Sequence, residues 1–378
     1  MFWLYLLQSL SSSLEITFGS CSGQLGAENE QIWKTIKSRN PDTFIWLGDA
    51  IYADIMVLPF YFVVPDEELW REKYRKAKDM KGYKELRQST KILGVWDDHD
   101  YGANNENRHF LFKNLSKTLF LEFLDEDKDS ERYRREGIYE KYDFHSGKVR
   151  VRVILLDDRT FLDKFGPDGD TLGEEQWGWL ESCLSDEIDL FIIMNGIQVN
   201  IEDRISVTEK WHDKSRIRLM QLLKNHPNTI IVSGDVHHTE LMEETCTGYS
   251  IIEFTSSGLT HSVETVYGFI AKHLVDFWYP FTFNLSPRFY SYNFGSIHIT
   301  EEGIVQLRSL DESGNEYFYH EILINQMKTK VQRSFYCDQS VTLRRVYHWT
   351  SVITIIWLPW ISFVVAGINF MRKYSNSY

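Results

Sequence analysis

Apolar residues recur along this chain in two rhythms. Short β-branched runs of about five residues alternate with longer stretches whose apolar positions return every three or four residues, the pattern of buried strands between amphipathic helices. Segments 16–20, 43–47, 92–96, 149–156, 190–194 and 230–233 read as buried strands, and 28–37, 66–78, 108–124, 173–184 and 208–224 as the helices between them. Residues 145–148 carry a hairpin turn, and 249–254, 295–300, 304–310 and 316–323 predict a closing, mostly antiparallel sheet. The run 125–141 is dense in mixed charge and reads as a solvated helix-loop face. Alternation of this kind predicts one α/β domain over 14–324.

The two ends depart from that rhythm. Residues 2–10 are apolar, long enough for a signal-peptide core and too short to span a bilayer, so 1–13 is a candidate leader; the alternative is a first core strand. At the other end, 349–371 (WTSVITIIWLPWISFVVAGINFM) contains no Asp, Glu, Lys or Arg. A bilayer core needs about 20 such residues, so the expectation is one C-terminal transmembrane helix, preceded by a stalk over 325–348 and followed by a short tail, 372–378. With a cleaved leader the body would be lumenal or extracellular, a single-pass membrane protein, and the sequons at Asn114 and Asn284 are compatible with that.

Composition adds two constraints. A formal net charge of −13 over 378 residues argues against a nucleic-acid surface, which needs clustered Lys and Arg. The same charge means that an anionic ligand would need local positive charge from elsewhere, and bound metal is the obvious source. The four cysteines, Cys21, Cys183, Cys246 and Cys337, form no CxxC pair, which excludes a zinc ribbon or a thioredoxin motif. If Cys21 ligates metal, the other three allow at most one disulfide, and its pairing stays open.

The candidate chemistry falls just after predicted strands, at the edge where open α/β sheets bind ligands. Phe18-Gly19-Ser20-Cys21 ends the first strand; Gly48 and Asp49 end the second, with Tyr52 about one helical turn on. After the third come Asp97, Asp98, His99 and Asp100, then Tyr101 and Gly102. Three carboxylates around one imidazole, with nothing basic among them, repel one another unless a cation intervenes. A later strand ends in Gly234-Asp235-Val236-His237-His238, where the Asp-x-His spacing turns both side chains the same way in extended chain. His238 would point elsewhere.

In this order, GSC, GDAIYAD, GVWDDHDYGANN, LLDDR, SGDVHH and EFTSSGLTHS strongly resemble the alkaline phosphatase D family, in the branch with the WDDHDYG motif, over roughly residues 14–310. That family belongs to the calcineurin-like metallophosphoesterases, so the resemblance implies a four-layer sandwich of two mixed sheets flanked by helices. It implies that Cys21, Asp49, Tyr52 and His237 ligate iron(III), and that Asp49 bridges to a second cation, calcium in the best-understood relatives, held with Asp98 and Asp235. Other divalent metals are alternatives. His99 would meet the phosphate or its leaving group, Arg159 would hold phosphate oxygens in its planar fork, and Asp157 would support them. Asn105 replaces an Asp common in the branch. The implied activity is phosphate-ester hydrolysis by in-line attack of metal-bound hydroxide. The alternatives are a phosphodiesterase or phospholipase-type hydrolase at the same site and, from another class, an inactive binding ectodomain. The loop 52–64 is apolar and would shape access to the site.

Overall fold

A computed structural model describes residues 13–23, 30–58, 61–164, 168–201, 210–278 and 285–333, with positions 337, 346, 350, 353, 354 and 361. Among these residues the chain forms two six-stranded sheets and a small hairpin. The first sheet holds β1 (Ser13–Gly19), β2 (Thr43–Leu47), β5 (Lys91–Val95), β12 (Asn293–Thr300), β13 (Ile304–Asp311) and β14 (Glu316–Leu323), in the spatial order 14-13-12-1-2-5. The second holds β6 (Glu140–Ser146), β7 (Val149–Leu155), β8 (Leu190–Met194), β9 (Thr229–Ser233), β10 (Thr239–Glu244) and β11 (Ile251–Ser256), in the order 10-11-9-8-7-6. The hairpin joins β3 (Ile55–Leu58) to β4 (Tyr61–Val63).

Strand direction decides where the connecting loops gather. β1, β2 and β5 run parallel, as do β7, β8, β9 and β11. Every carboxyl end within one set therefore reaches the same edge of its sheet. Parallel strands are covered on both faces, which is why LFIIM in β8 and all but the first residue of TFIWL in β2 are apolar, and both runs are fully buried.

Alternation decides which side chain enters which layer. In β8, Leu190, Ile192 and Met194 enter the core shared by both sheets, whereas Phe191 and Ile193 pack outward beneath helices Gly173–Cys183 and Asp213–Leu223. Phe18 of β1 meets Phe254 of β11 edge-on at 5.0 Å, joining the sheets. Outside the first sheet, Trp46 packs on Trp33, Tyr83 and Phe123 from three different helices, with ring centroids 5.5–5.9 Å apart. Its indole N–H donates to the Tyr83 hydroxyl at 2.9 Å, so the ring is buried without stranding its one polar atom. The result is the expected mixed α/β arrangement of helix, sheet, sheet and helix.

The membrane expectations and the reading of the charged run are revised. The transmembrane helix is not observed: among the described residues no helix is long and apolar enough to cross a membrane, and most of 349–371 lies outside them. The single-pass, lumenal or extracellular placement loses its support with it. The candidate leader over 1–13 lies outside the described residues except Ser13, which opens β1 opposite Thr300. Within the charged run 125–141, Arg132 is fully buried, donating to the Gly94 and Ile138 carbonyls at 2.7 and 2.8 Å and pairing with Glu126. A run that looks solvated thus hides one core arginine.

Beyond β14 the chain turns back onto the second sheet. The Val331 amide donates to the Gly248 carbonyl at 3.0 Å, and Cys337 is disulfide-bonded to Cys246, 91 residues away in sequence. Cys21 and Cys183 are free and buried. Peptide mapping without reductant is expected to recover the 246–337 pair, with Cys21 and Cys183 alkylated only after denaturation. A 183–246 or 183–337 cross-link would contradict this pairing.

Candidate metal centre at the strand ends

The carboxyl ends of the parallel strands meet where the two sheets abut. Ser22 N–H donates to the Asp49 carbonyl (2.8 Å), Gly258 N–H to the Ser20 carbonyl (3.1 Å) and Gly234 N–H to the Gly196 carbonyl (2.8 Å). Two glycines permit this approach. A Cβ on Gly48 would lie 2.2 Å from that of Asp97, and one on Gly234 would lie 2.5 Å from the Leu47 carbonyl oxygen. Cys21, Asp49, Asp235 and His237 all adopt left-handed backbone, with φ of 61°, 49°, 69° and 58°. Each costs on the order of 1–3 kcal/mol in a non-glycine residue, and such residues cluster at functional sites.

The loops converge on one small volume. Asp49, Asp98 and His99 each place a potential ligand atom within 4.8 Å of the others. The Cys21 thiol lies 3.5 Å from Asp49 Oδ2, 3.0 Å from Ser257 Oγ and 3.6 Å from the Asp235 carbonyl oxygen. The Tyr52 hydroxyl lies against that thiol, and the Tyr52 ring sits 4.3 Å from the His99 ring and 6.4 Å from that of His237. His237 is held by its own amide, which donates to Ser257 Oγ at 2.8 Å. His238 points away, as expected, with Nδ1 at the Val236 carbonyl and Nε2 facing Glu240.

The WDDHDYG turn divides its carboxylates among different tasks. Asp98 accepts from the His99 amide (2.9 Å) and the Asn105 amide (2.8 Å). Asp100 turns inward to accept from the amides of Ala50 and Ile51 and the Tyr74 hydroxyl, which ties two of the loops together. Asp97 pairs with Arg159, whose Nε lies 2.5 Å from its Oδ1. Arg159, expected at the substrate, is completely buried in that contact and reaches Asp98 Oδ1 at 3.9 Å. Asp157 accepts from the Trp96 indole, the Ile138 amide, the Arg159 and Thr160 amides and the Thr160 hydroxyl, a supporting arrangement.

Electrostatics sharpen the picture. Burial, then the surrounding carboxylates and thiol, pushes Cys21 and Tyr52 well above their ordinary values; burial likewise raises Asp49, against the pull of His99. His99 runs the other way: burial would lower it, but Asp98, Asp49 and Asp54 together hold it well above the imidazole range. Asp98 is held low, since His99, Arg159 and two amides outweigh its burial. Burial and the neighbouring His261 and His99 keep His237 neutral, the ligand form of imidazole.

Two buried atoms indicate what the pocket accommodates. Asp49 Oδ1 and His237 Nδ1 are buried with no hydrogen-bond partner among the described residues. Leaving such atoms unmet costs about 1–3 kcal/mol each. A carboxylate oxygen and a neutral imidazole nitrogen, beside a thiol and a phenol, form a donor set that fits a cation. A cation would also reverse the upward shifts, which arise from too much negative charge in too little water.

Three nearby residues were not anticipated. Asp54 accepts from, or shares a proton with, His99 Nδ1 at 2.7 Å and accepts from the Asn104 amide at 3.0 Å. A second acidic position in the GDAIYAD loop was its only signal. Ser257 braces Cys21 and His237, and His261 stacks on Tyr52 at 4.5 Å. Both lie in the TSSGLTHS segment, but nothing local marks them as partners of Cys21 and Tyr52, more than 200 positions earlier.

If this donor set holds metal, adding iron and calcium salts to chelator-stripped protein should raise its melting temperature. Binding at about 1,000 times Kd contributes about 4 kcal/mol, several degrees for a domain of this size. Asp49→Asn is expected to lose most of that rise; an identical rise in the variant would place the metal elsewhere.

A model of the PhoD-like phosphatase family matches residues 16–299. No curated protein matches the chain. Among solved structures it is similar to one described as the structure of PhoD, with TM-score 0.61, 14% identity and coverage of 90% of this chain and 77% of that one. It is similar to GAP50, the anchor in the inner membrane complex of Plasmodium, with TM-score 0.54, 14% identity and coverage of 90% and 95%. It is also similar to purple acid phosphatase PPD1 from yellow lupin (Lupinus luteus) seeds, with TM-score 0.54, 14% identity and coverage of 83% and 54%. At 14% identity these likenesses show a shared fold.

Proposed function

The chain belongs to the PhoD-like phosphatase family, and on that premise we propose that it hydrolyses phosphate esters at the strand-end centre, with iron(III) and calcium as its cations. The observation that carries this reading is the gathering of Asp49, Asp98 and His99 beside Cys21, Tyr52 and His237, with Asp49 Oδ1 and His237 Nδ1 lacking protein partners among the described residues. Cys21, Asp49, Tyr52 and His237 would hold the iron. Asp49, Asp98 and Asp235 would hold the second cation. Thiolate and phenolate are anionic donors suited to a trivalent ion. Bound cations would offset the charge of the phosphate and acidify water beside it.

The chain's own groups have distinct parts in this scheme. Asp54 at Nδ1 fixes the ring and tautomer of His99, leaving Nε2 to donate a hydrogen bond to a phosphate oxygen or to the departing alcohol oxygen. Arg159 works one step back from the substrate in this reading. By neutralising Asp97 and approaching Asp98, it holds the metal-binding turn in place.

Initial rates on a monoester and a diester reporter test these roles. Asp49→Ala is expected to lower kcat at least about 100-fold, and His99→Ala by a similar factor, the usual loss when a positioned donor or charge is removed. Asp54→Asn should cost about ten- to 100-fold while retaining metal. Unchanged turnover in Asp49→Ala would refute hydrolysis at this centre.

The metal assignment has its own readout. The purified protein is expected to contain iron and to show a visible charge-transfer band that Tyr52→Phe or Cys21→Ser shifts or bleaches. Stoichiometric zinc without iron would remove the iron assignment and leave the hydrolytic one standing.

A further inference from the structure

A second group of potential metal donors lies at the opposite end of the second sheet from the strand-end centre. Edge strand β10 starts just past His238 and runs away from the centre to Glu244, which pairs with Ile251 at the start of β11. Two residues on, Cys246 is bonded to Cys337, so the chain beyond β14 returns to this corner. One carboxylate oxygen of Glu244 and the two sulfurs all lie within 4.8 Å of one another. Glu244 is completely buried, whereas both cysteines are half-buried and within reach of a small solute.

The disulfide does not explain the buried carboxylate beside it. Oε1 of Glu244 accepts from the Cys246 amide, but Oε2 is buried and meets no hydrogen-bond donor among the described residues. A disulfide sulfur carries no proton and can offer that oxygen nothing. Burial lifts the Glu244 carboxyl above its ordinary range, against the pull of Arg216 and of the Cys246 and Thr247 amides. With the sulfur–sulfur bond open, the same corner would hold two thiolates and a carboxylate, a donor set that zinc takes in a tetrahedral shell. Contacts other than that bond keep the two cysteines close. β10 is laddered to β11 as far as Glu244, and the Val331 amide, six residues before Cys337, donates to the Gly248 carbonyl at 3.0 Å.

We propose that Glu244, Cys246 and Cys337 form a redox-gated zinc site, closed as a disulfide and opened by a dithiol reductant. In the opening step a thiolate of the reductant attacks one sulfur and the Cys246–Cys337 bond breaks. The reductant's second thiolate then releases the protein sulfur, so the reductant leaves as a disulfide and both cysteines become thiols. Zinc displaces the two thiol protons to solvent and is bound by two thiolates and Glu244, with water in the fourth position. Three anionic donors around a dication leave one negative charge, beside Arg216, whose charge already acts on Glu244. The chain beyond β14 would thus stay tied to the second sheet in either redox state, by a covalent bond or by a metal bridge. This site shares no residue with the strand-end centre and does not depend on the phosphoesterase reading.

The test compares the full chain as isolated with the same chain treated with dithiothreitol and freed of it under anaerobic conditions, with zinc alone as the probe. Strand-end donors are present in both forms, so the quantity read is the difference in bound zinc per chain. Reduction is expected to add about one equivalent, and cobalt in place of zinc should then show an added thiolate charge-transfer band. Zinc should also protect Cys246 and Cys337 of the reduced protein from iodoacetamide. Glu244→Gln, which keeps the size and one acceptor of the side chain, should weaken the added zinc at least about tenfold. Replacing both cysteines (Cys246→Ser with Cys337→Ser) should abolish it, while Asp49→Asn should leave the difference intact. No added zinc on reduction would overturn the proposal. So would undiminished affinity in Glu244→Gln, or an added equivalent that survives both serine replacements. A chain that unfolds on reduction and does not regain its circular dichroism with zinc would overturn it as well.

Discussion

Acidic side chains packed into a pocket with little water repel one another, and the organisation of this protein reflects how that repulsion is met. Asp49, Asp97, Asp98 and Asp100 are buried close together, with Asp235 and the Cys21 thiol beside them. The protein offsets part of this charge itself. Arg159 serves Asp97, backbone amides serve Asp98 and Asp100, and His99 supplies a proton-loaded ring. What those groups leave unmet, above all at Asp49, is the requirement a cation would satisfy.

The scaffold makes so crowded a pocket attainable. Parallel strands deliver their carboxyl ends to one edge, and two sheets abutting at that edge double the number of loops that can contribute. Glycine at positions 48 and 234 removes the Cβ atoms that would hold the loops apart. Left-handed backbone at four donor positions then turns side chains inward over a short distance. That strain is tolerable because the strands beneath are buried on both faces and have no room to shift.

Around this rigid base the mouth is built differently. The β3 strand of the hairpin exposes all four of its apolar residues and β4 is only partly buried, while the helical segment after His261 leaves large apolar side chains in solvent. A two-stranded hairpin is marginally stable alone, so this rim has less to hold it than the floor it surrounds.

Much of this was legible from the chain itself. The near-continuous apolar runs of β2, β8 and β9 marked them as buried strands, because only strands covered on both faces tolerate such composition. The motifs after those strands stood out because clustered carboxylates without basic neighbours need a reason. Partnerships across the fold were not legible. Asp54 with His99, Arg159 with Asp97, Ser257 with Cys21 and Cys246 with Cys337 join residues 45 to 236 positions apart, and no local pattern encodes those choices. Apolar sequence also misled where its surroundings decide: 349–371 resembles a bilayer span, yet no such helix occurs among the described residues. Periodicity records which residues avoid water within their own element, but what each finally touches depends on which elements meet, and that is settled only when the whole chain packs.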